Sequence, residues 1–271
     1  MPSRLHLDLA WLAGATPLMS DAYWAQCGTQ AASQAGLGDG EGRGAEPIRQ
    51  VGRWFERVHL LGLQSTPGVE VVVANEPLRT GGRTIGELDV LYRQAGRVVH
   101  REVAVKYYLA ARAGTHHSAW VGPGKRDRLD LKLTRLATHQ VTVARQARDL
   151  DAWPEDLPFP EVTEVLLLGA FFSPPAERRL PEGACTEAEH GHWYFASEFA
   201  DRFGDAPWCT LDKPWWLSPE HARGLPTTPA CELARGLRRP CLAAHVSSDV
   251  ERAFVVPDGW WDDLDATARL R

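Results

Sequence analysis

The chain lacks any long apolar run. No stretch of roughly 18 consecutive apolar residues occurs in its 271 residues, so no membrane-spanning helix is predicted. The first eighteen residues are mildly apolar, but Asp8 interrupts them. We therefore expect a folded helix there rather than a signal peptide.

Cysteine is scarce, and positive charge is not in excess. The five cysteines are odd in number and irregularly spaced, which favours a reduced, cytoplasmic chain over a disulfide framework. The net charge is −5, so any nucleic-acid-binding surface has to be local. The composition, 44% hydrophobic and 24% charged, is typical of a soluble globular protein.

Several motifs with known chemistry are absent. The chain contains no Walker loop, no dinucleotide-binding fingerprint, no Ser-His-Asp motif and no internal repeat. Zinc-ligand residue types occur at Cys185, His190, His192 and Cys209, but their spacing matches no compact site. The pair His116-His117 in a glycine-flanked loop could contact phosphate, although loop histidines are usually only solvent-exposed.

Charged residues do occur where strands should be buried. Residues 83–109 read RTIGELDVLYRQAGRVVHREVAVKYYL and predict two strands around a turn at residues 94–96. Side chains alternate along a strand, so Glu87 and Asp89 share one side of the first strand, and Glu102 and Lys106 share one side of the second. Such charges are costly inside a sheet unless they are paired or bind a metal ion, which marks them as a candidate site.

Two carboxylates on adjacent strands suit Mg²⁺ or Mn²⁺. Such an ion takes few protein carboxylates and keeps water and phosphate oxygens as its other ligands. Asp89 and Glu102 would bind the metal, and Lys106 would hold the attacking water. The alternative is structural, with Glu102 and Lys106 forming an ion pair at the edge of a sheet.

The segments on either side add to this pattern. A helix is predicted over residues 47–63, where Glu56 is either a solvated residue or a carboxylate at the rim of the site. A long helix is predicted over residues 125–150. One of its faces carries Lys125, Arg128, Lys132, Arg135 and His139, and another carries Gln140 among apolar residues. The basic face is either solvated or able to follow a phosphate backbone.

The remaining chain predicts a mixed sheet with helices. Short strands are expected at residues 69–74, 162–172, 192–199 and 252–256, and a helix is expected at residues 229–238. From about residue 200 Trp and Pro dominate, and the tryptophans at residues 208–216 are either a packed lobe or a base-stacking platform. We predict a core over residues 1–199 and an extension over residues 200–271 packed on it.

The order of these motifs resembles the PD-(D/E)XK nuclease superfamily. The similar segments are GRWFE (Gly52–Glu56), GELDVL (Gly86–Leu91) and EVAVKYYL (Glu102–Leu109). The chain more closely resembles a bacterial domain-of-unknown-function family assigned to that superfamily, with LAWL (Leu9–Leu12) as a further similarity. The likeness covers residues 1 to about 172 and implies a restriction-endonuclease-like mixed sheet flanked by helices.

The resemblance implies a role for individual residues. Asp89 matches the metal-binding Asp, Glu102 the second acid, Lys106 the lysine and Glu56 the extra acid of the first helix. Gln140 matches a glutamine of RecB-like members. The superfamily pattern, however, places its second acid two residues before the lysine, where this chain has Ala104. Glu102 lies about 6–7 Å from that position at strand rise, and Glu87 could compensate as a ligand.

Two functions therefore follow from the sequence. The first is a Mg²⁺-dependent nuclease that acts on nucleic acid, with DNA as the expected substrate. Its backbone-binding residues would be Lys125, Arg128, Lys132, Arg135 and Gln140. The second is a nuclease-fold protein that binds nucleic acid or acts as a scaffold but has lost cleavage, as Ala104 indicates.

Overall fold

The structure is a computed structural model that describes residues 3–33, 37–38, 46–111 and 114–261. These residues form a mixed α/β fold with a large, mostly antiparallel sheet flanked by helices, which confirms the coarse prediction. In the described part of the chain no helix is both long enough and apolar enough to span a bilayer. All five cysteines are free thiols.

The helices and strands have the following bounds. The helices are α1 (Arg4–Gly14), α2 (Asp21–Gln26), α3 (Val51–Gln64), α4 (Leu129–Arg135), a π-helix (Leu136–Gln140), α5 (Val143–Asp149), α6 (Ala196–Phe203) and α7 (Ala230–Ala234). The strands are β1 (Gln30–Ala31), β2 (Val69–Thr80), β3 (Arg83–Gln94), β4 (Arg97–Ala110), β5 (Trp120–Val121), β6 (Val162–Ser173), β7 (His190–Phe195), β8 (Pro207–Leu211), β9 (Thr228–Pro229), β10 (Cys241–Val246) and β11 (Val250–Val256). Short 3₁₀ turns cover His117–Ala119, Pro219–Ala222 and Asp258–Trp261.

The chain divides into two compact units. The first comprises Met1–Lys106, Leu131–Gly169 and Gly183–Ala188, and the second comprises Tyr107–Asp130, Ala170–Glu182 and Glu189–Arg271. In the first, the strands follow the order β2-β3-β4-β6, with β1 parallel to β6. In the second, the order is β6-β7-β11-β10-β8-β9, with β5 beside β4. The sequence-based division at residue 199 stays a prediction.

The β3–β4 hairpin forms where the sequence predicts it. Its two-residue turn has positive φ at both Ala95 (49°) and Gly96 (78°), which suits the right-handed twist of the flanking strands.

Strand β2 extends six residues beyond the predicted end at Ala74. Asn75 has φ 54° and Pro77 lies within the strand, features typical of a loop, but β2 lies at the end of the strand order, where proline is tolerated.

The single helix predicted over residues 125–150 is wrong. Lys125 has φ 62° and follows a Gly-Pro-Gly segment, so the helix begins only at Leu129. After Arg135 it widens into the π-helix, and α5 begins again at Val143. Hydroxyls of Thr138 and Thr142 accordingly donate to backbone carbonyls four residues earlier, a bond that bends helices.

The predicted packed lobe is present in the second unit. Trp208 is buried in a cluster with Tyr194, Phe199 and several alanines, and Trp216 is also buried. Strands β8 and β10, which the sequence did not predict, are the hydrogen-bonded partners that complete this cluster. The packing interpretation is therefore correct for these two tryptophans.

Strands β4 and β6 approach closely at Gly169. Its φ is 131°, and an added Cβ would overlap the carbonyl oxygen of Lys106. We expect Gly169→Ala to destabilise the protein by more than the ~1–2 kcal/mol that positive φ alone costs, because the strands would also have to separate. Urea unfolding compares it with Gly68→Ala, where φ is also positive (77°) but the surroundings are open. Equal losses in both variants would contradict the close approach.

Candidate active site

The candidate site lies where β3 and β4 stop pairing. Their paired register ends at Val90 opposite Arg101. Beyond that point Oδ2 of Asp89 accepts a hydrogen bond from the backbone N–H of Val103 at 2.9 Å. A side-chain carboxylate thus replaces the next backbone partner, and continuing the register places Asp89 opposite Glu102. The structure therefore brings these two predicted acids together at the end of the ladder.

Glu102 is fully buried and is held through a glutamine. Nε2 of Gln140 donates to Oε2 of Glu102 at 2.5 Å, and Nζ of Lys132 donates to Oε1 of Gln140 at 3.0 Å. The lysine can only donate, so its bond fixes the amide with its NH₂ group towards the carboxylate. The chain from Lys132 to Glu102 stabilises a carboxylate that would otherwise be costly to bury.

The π-helix brings Lys132 and Gln140 together. In an uninterrupted α-helix, residues eight apart are offset by about 80° around the axis, and one extra residue in the turn reduces this to about 20°. Packing against β3 also contributes, because a Cβ at Gly86 would overlap the side chain of Val143 in α5. Helix periodicity alone puts Gln140 on the apolar face, so the sequence could not predict this contact.

His100 was missed by the sequence reasoning. It is fully buried in β4, two residues before Glu102, and its Nε2 lies 2.9 Å from Oε1 of Glu102. The pair is close enough for an ion pair, but its directions do not meet hydrogen-bond geometry, so neither atom has a hydrogen bond among the described residues. The alternation that drew attention to Glu102 also places residue 100 on the same side of the strand.

Lys132 is electrostatically central to the site. It is half-buried, and burial is the main reason why its pKa is lowered, with the charge of Lys106 adding to the effect. The carboxylates of Glu102 and Asp89 oppose that shift. Lys132 in turn lowers the pKa of Glu56, so one ammonium group influences all three acids.

Two of the carboxyl groups are perturbed towards the neutral form. Burial, followed by repulsion from Glu102, raises the pKa of Asp89 to about 8, while the bond from Val103 and the charge of Lys132 act in the opposite direction. Burial, followed by repulsion from Glu87, raises the pKa of Glu56. Closely spaced carboxylates with raised pKa values are typical of sites that receive a cation or a proton.

A cleft of about 170 Å³ opens beside these groups. It is lined by Gly86, Glu87, Asp89, Arg135, His139, Gln140 and Val143. Glu87, Arg135 and His139 are exposed there, whereas Glu102 is buried behind Asp89 and Gln140. A solute in the cleft would therefore meet Asp89 and the basic residues first.

The structure separates the predicted site residues into two groups. Glu56, Glu87, Asp89, Glu102, Lys106, Lys132, Arg135 and Gln140 belong to the first unit and converge on the site. Lys125 and Arg128 belong to the second unit and precede α4. Arg128 is paired with Asp130 through two hydrogen bonds, and Lys125 lies over the ring of Trp260. Lys125 and Arg128 therefore lie outside the helix that carries Lys132 and Arg135.

The other metal-ligand candidates lie elsewhere. His190 and His192 are adjacent, with ring centroids 5.6 Å apart, while Cys209 is close to backbone carbonyls of Ala222 and Ala244. Nε2 of His117 lies 2.7 Å from the carbonyl of Glu182. Within the described ranges, no three His, Cys, Asp or Glu side chains form a group that could hold a metal ion.

Comparison with protein families identifies the chain. A family described as a domain of unknown function (DUF1853) matches residues 7–263, and because that match spans most of the chain, the protein belongs to this family. Searches of curated proteins and of solved structures found no match. Membership of a domain-of-unknown-function family is thus confirmed, and membership of the wider superfamily stays a prediction.

The raised pKa of Asp89 predicts a pH-dependent stability. The folded state holds the proton more tightly than the unfolded state, where the pKa is near 3.8, so the wild type loses stability as pH rises from about 4 to about 8. Asp89→Asn removes this loss while keeping an oxygen for Val103. In chelator-containing buffer we expect the variant to melt a few degrees higher at pH 8.5, since about 1 kcal/mol corresponds to about 2–4 °C here.

The difference in melting temperature should grow steadily between pH 5 and pH 8. A surface control, Glu70→Gln, removes an exposed carboxylate that pairs with Arg93 and should change little across that range. A constant difference between Asp89→Asn and wild type at every pH would show that Asp89 is not perturbed.

Proposed function

We propose that the protein is a nuclease that depends on Mg²⁺ or Mn²⁺ and hydrolyses phosphodiester bonds, with DNA as the expected substrate. The observation that carries this proposal is the convergence of Glu56, Asp89 and Glu102 with Lys106 and Lys132 at the end of the β3–β4 ladder. This arrangement supports a PD-(D/E)XK-like core. It supplies anionic ligands for a divalent cation next to cationic groups for phosphate.

The donor set fits such an ion. Asp89 and Glu102 would hold it, with Glu87 at the mouth of the cleft as a further carboxylate. Oε1 of Glu102 is buried without a hydrogen bond, whereas Oε2 is held by Gln140, as expected of a ligand supported by a second residue. The chemistry that the ion supplies is the activation of water and the stabilisation of charge on phosphate.

The chain's own residues have separate roles. Lys106, two residues beyond Ala104 on β4, would orient the attacking water. Lys132 and Gln140 hold the Glu102 carboxylate in a fixed orientation, so we assign them to positioning rather than to backbone binding. Glu56 would support the site from α3 through its interaction with Asp89.

The second candidate function is nucleic-acid binding without cleavage. Ala104 favours it, because the position from which the superfamily supplies its second acid carries only a methyl group and is half-buried. The complete burial of Glu102 favours it too, since both carboxylate oxygens already lie close to other side chains. The two candidates share a substrate surface and differ only in the chemical step.

Cleavage of DNA in the presence of metal separates the two candidates. We expect wild-type protein to cut plasmid and single-stranded DNA with Mg²⁺ or Mn²⁺ and not with a chelator. Asp89→Asn and Lys106→Met should each lower the rate by at least about 10²-fold, the usual contribution of a group that positions or activates water. Glu70→Gln is the matched carboxylate control on β2.

Equal cleavage by Asp89→Asn and wild type would remove the site assignment. If no cleavage occurs but DNA is bound, with an affinity that falls steeply as salt increases, the non-cleaving alternative stands. If wild type neither binds nor cuts DNA, both candidates fail.

The different surroundings of Arg135 and Arg128 predict which of the two contacts nucleic acid. Arg135 is exposed at the cleft, while Arg128 is paired with Asp130 in the second unit. We expect Arg135→Ala to weaken DNA binding and to reduce the slope of log affinity against log salt by about 1, as for one lost phosphate contact. Arg128→Ala should leave both quantities unchanged. Fluorescence anisotropy in Ca²⁺ or chelator measures both, and equal effects of the two variants would contradict the assignment.

A further inference from the structure

His100 lies against the carboxylate of Glu102 but makes no hydrogen bond among the described residues. Neither ring nitrogen makes a hydrogen bond among the described residues, although the side chain is fully buried. A buried polar atom without a hydrogen bond is energetically costly, and such atoms in native proteins often indicate an ion or a catalytic role. Facing Nε2 is Oε1 of Glu102, which is likewise buried without a hydrogen bond.

The distance between these two atoms suits two ligands of one metal ion. Nε2 and Oε1 lie 2.9 Å apart. An octahedral ion with bonds of about 2.1 Å holds neighbouring ligand atoms about 3 Å apart. The contact is close but does not meet hydrogen-bond geometry, and a cation bound by both atoms would account for it.

Gln140 holds one oxygen of Glu102, and the other, Oε1, makes no hydrogen bond among the described residues. Gln140 holds Oε2 and is itself held by Lys132, so the carboxylate is fixed with Oε1 towards His100. Metal-bound carboxylates are commonly hydrogen-bonded through their other oxygen in this way. The nearby cleft is lined by Asp89 and by Gln140, the residue that contacts Glu102.

We propose that His100 Nε2 and Glu102 Oε1 ligate one divalent ion together, and that the imidazole makes the site select Mn²⁺ or a similar transition metal over Mg²⁺. Mg²⁺ prefers oxygen ligands, whereas imidazole suits transition-metal ions. Water and substrate oxygens would fill the remaining coordination positions. The inference builds on the proposed function by specifying the metal of that site.

Pulsed electron paramagnetic resonance of bound Mn²⁺ tests the proposal without nucleic acid. We expect tag-free wild-type protein to show nuclear modulation from a directly coordinated ¹⁴N nucleus. By calorimetry, Mn²⁺ should bind at least about tenfold more tightly than Mg²⁺, as a site with an imidazole ligand requires. His100→Gln should lose the ¹⁴N modulation and most of the preference for Mn²⁺.

His139 provides the matched control, because it lines the cleft and is exposed, whereas His100 is buried. His139→Gln should keep the ¹⁴N modulation. Absence of that modulation in wild-type protein, absence of Mn²⁺ binding, or its loss in His139→Gln instead would each overturn the proposal. The wild-type measurement decides the matter even if His100→Gln does not fold.

The outcome is distinguishable from that of the nuclease proposal. A coordinated nitrogen without DNA cleavage would leave the metal site standing and remove the nuclease. Cleavage supported by Mn²⁺ without a coordinated nitrogen would leave the nuclease standing and remove His100 as a ligand.

Discussion

The carboxylate of Asp89 takes the backbone hydrogen bond that would otherwise continue the β3–β4 ladder. The two strands stop pairing there, and the Asp89 carboxylate stays next to the backbone of β4. On the face of the sheet, Glu102 contacts Gln140 of the π-helix, and on the other edge of β4 the backbone of Lys106 lies against Gly169 of β6. The end of the β3–β4 ladder therefore fixes Asp89 beside Glu102.

Two of the buried charged groups of β4, Arg101 and Glu102, are held by specific partners. The amide of Gln140 passes the influence of Lys132 to Glu102. One residue earlier, on the other side of β4, Arg101 is buried in an ion pair with Glu164 at 2.5 Å. Adjacent residues of a strand point to opposite sides, so a polar or charged contact holds β4 on each side. A shift of its register by one residue would separate both Arg101 and Glu102 from their partners. Rigidity of this kind is what a positioned carboxylate needs.

The sequence predicted the strands of the site better than its helix. Alternating charge within β-branched residues marked Asp89 and Glu102, because a two-residue repeat survives in any extended strand. Gln140 was matched to a role by resemblance, but its contact with Lys132 depends on an extra residue in a π-turn, which helix periodicity does not reveal. The sequence did not mark His100 as a site residue, because a single buried histidine resembles an ordinary core residue. Only the structure shows that its ring nitrogens make no hydrogen bond among the described residues.

The register of β3 and β4 bears on the alanine at residue 104, where the PD-(D/E)XK pattern has an acid. Continuing the β3–β4 register sets Asp89 opposite Glu102 and Glu87 opposite Ala104. Under the proposed superfamily assignment, Glu102, directly across from Asp89, takes the place of the acid expected at residue 104, and the β3 residue opposite Ala104, Glu87, carries a carboxylate of its own. Glu87 is exposed at the cleft and repels Glu56, so it lies within electrostatic reach of the same site. A cation responds to the position of oxygen atoms rather than to their order in the sequence. Under the proposed function, an alanine at residue 104 therefore does not by itself remove the site.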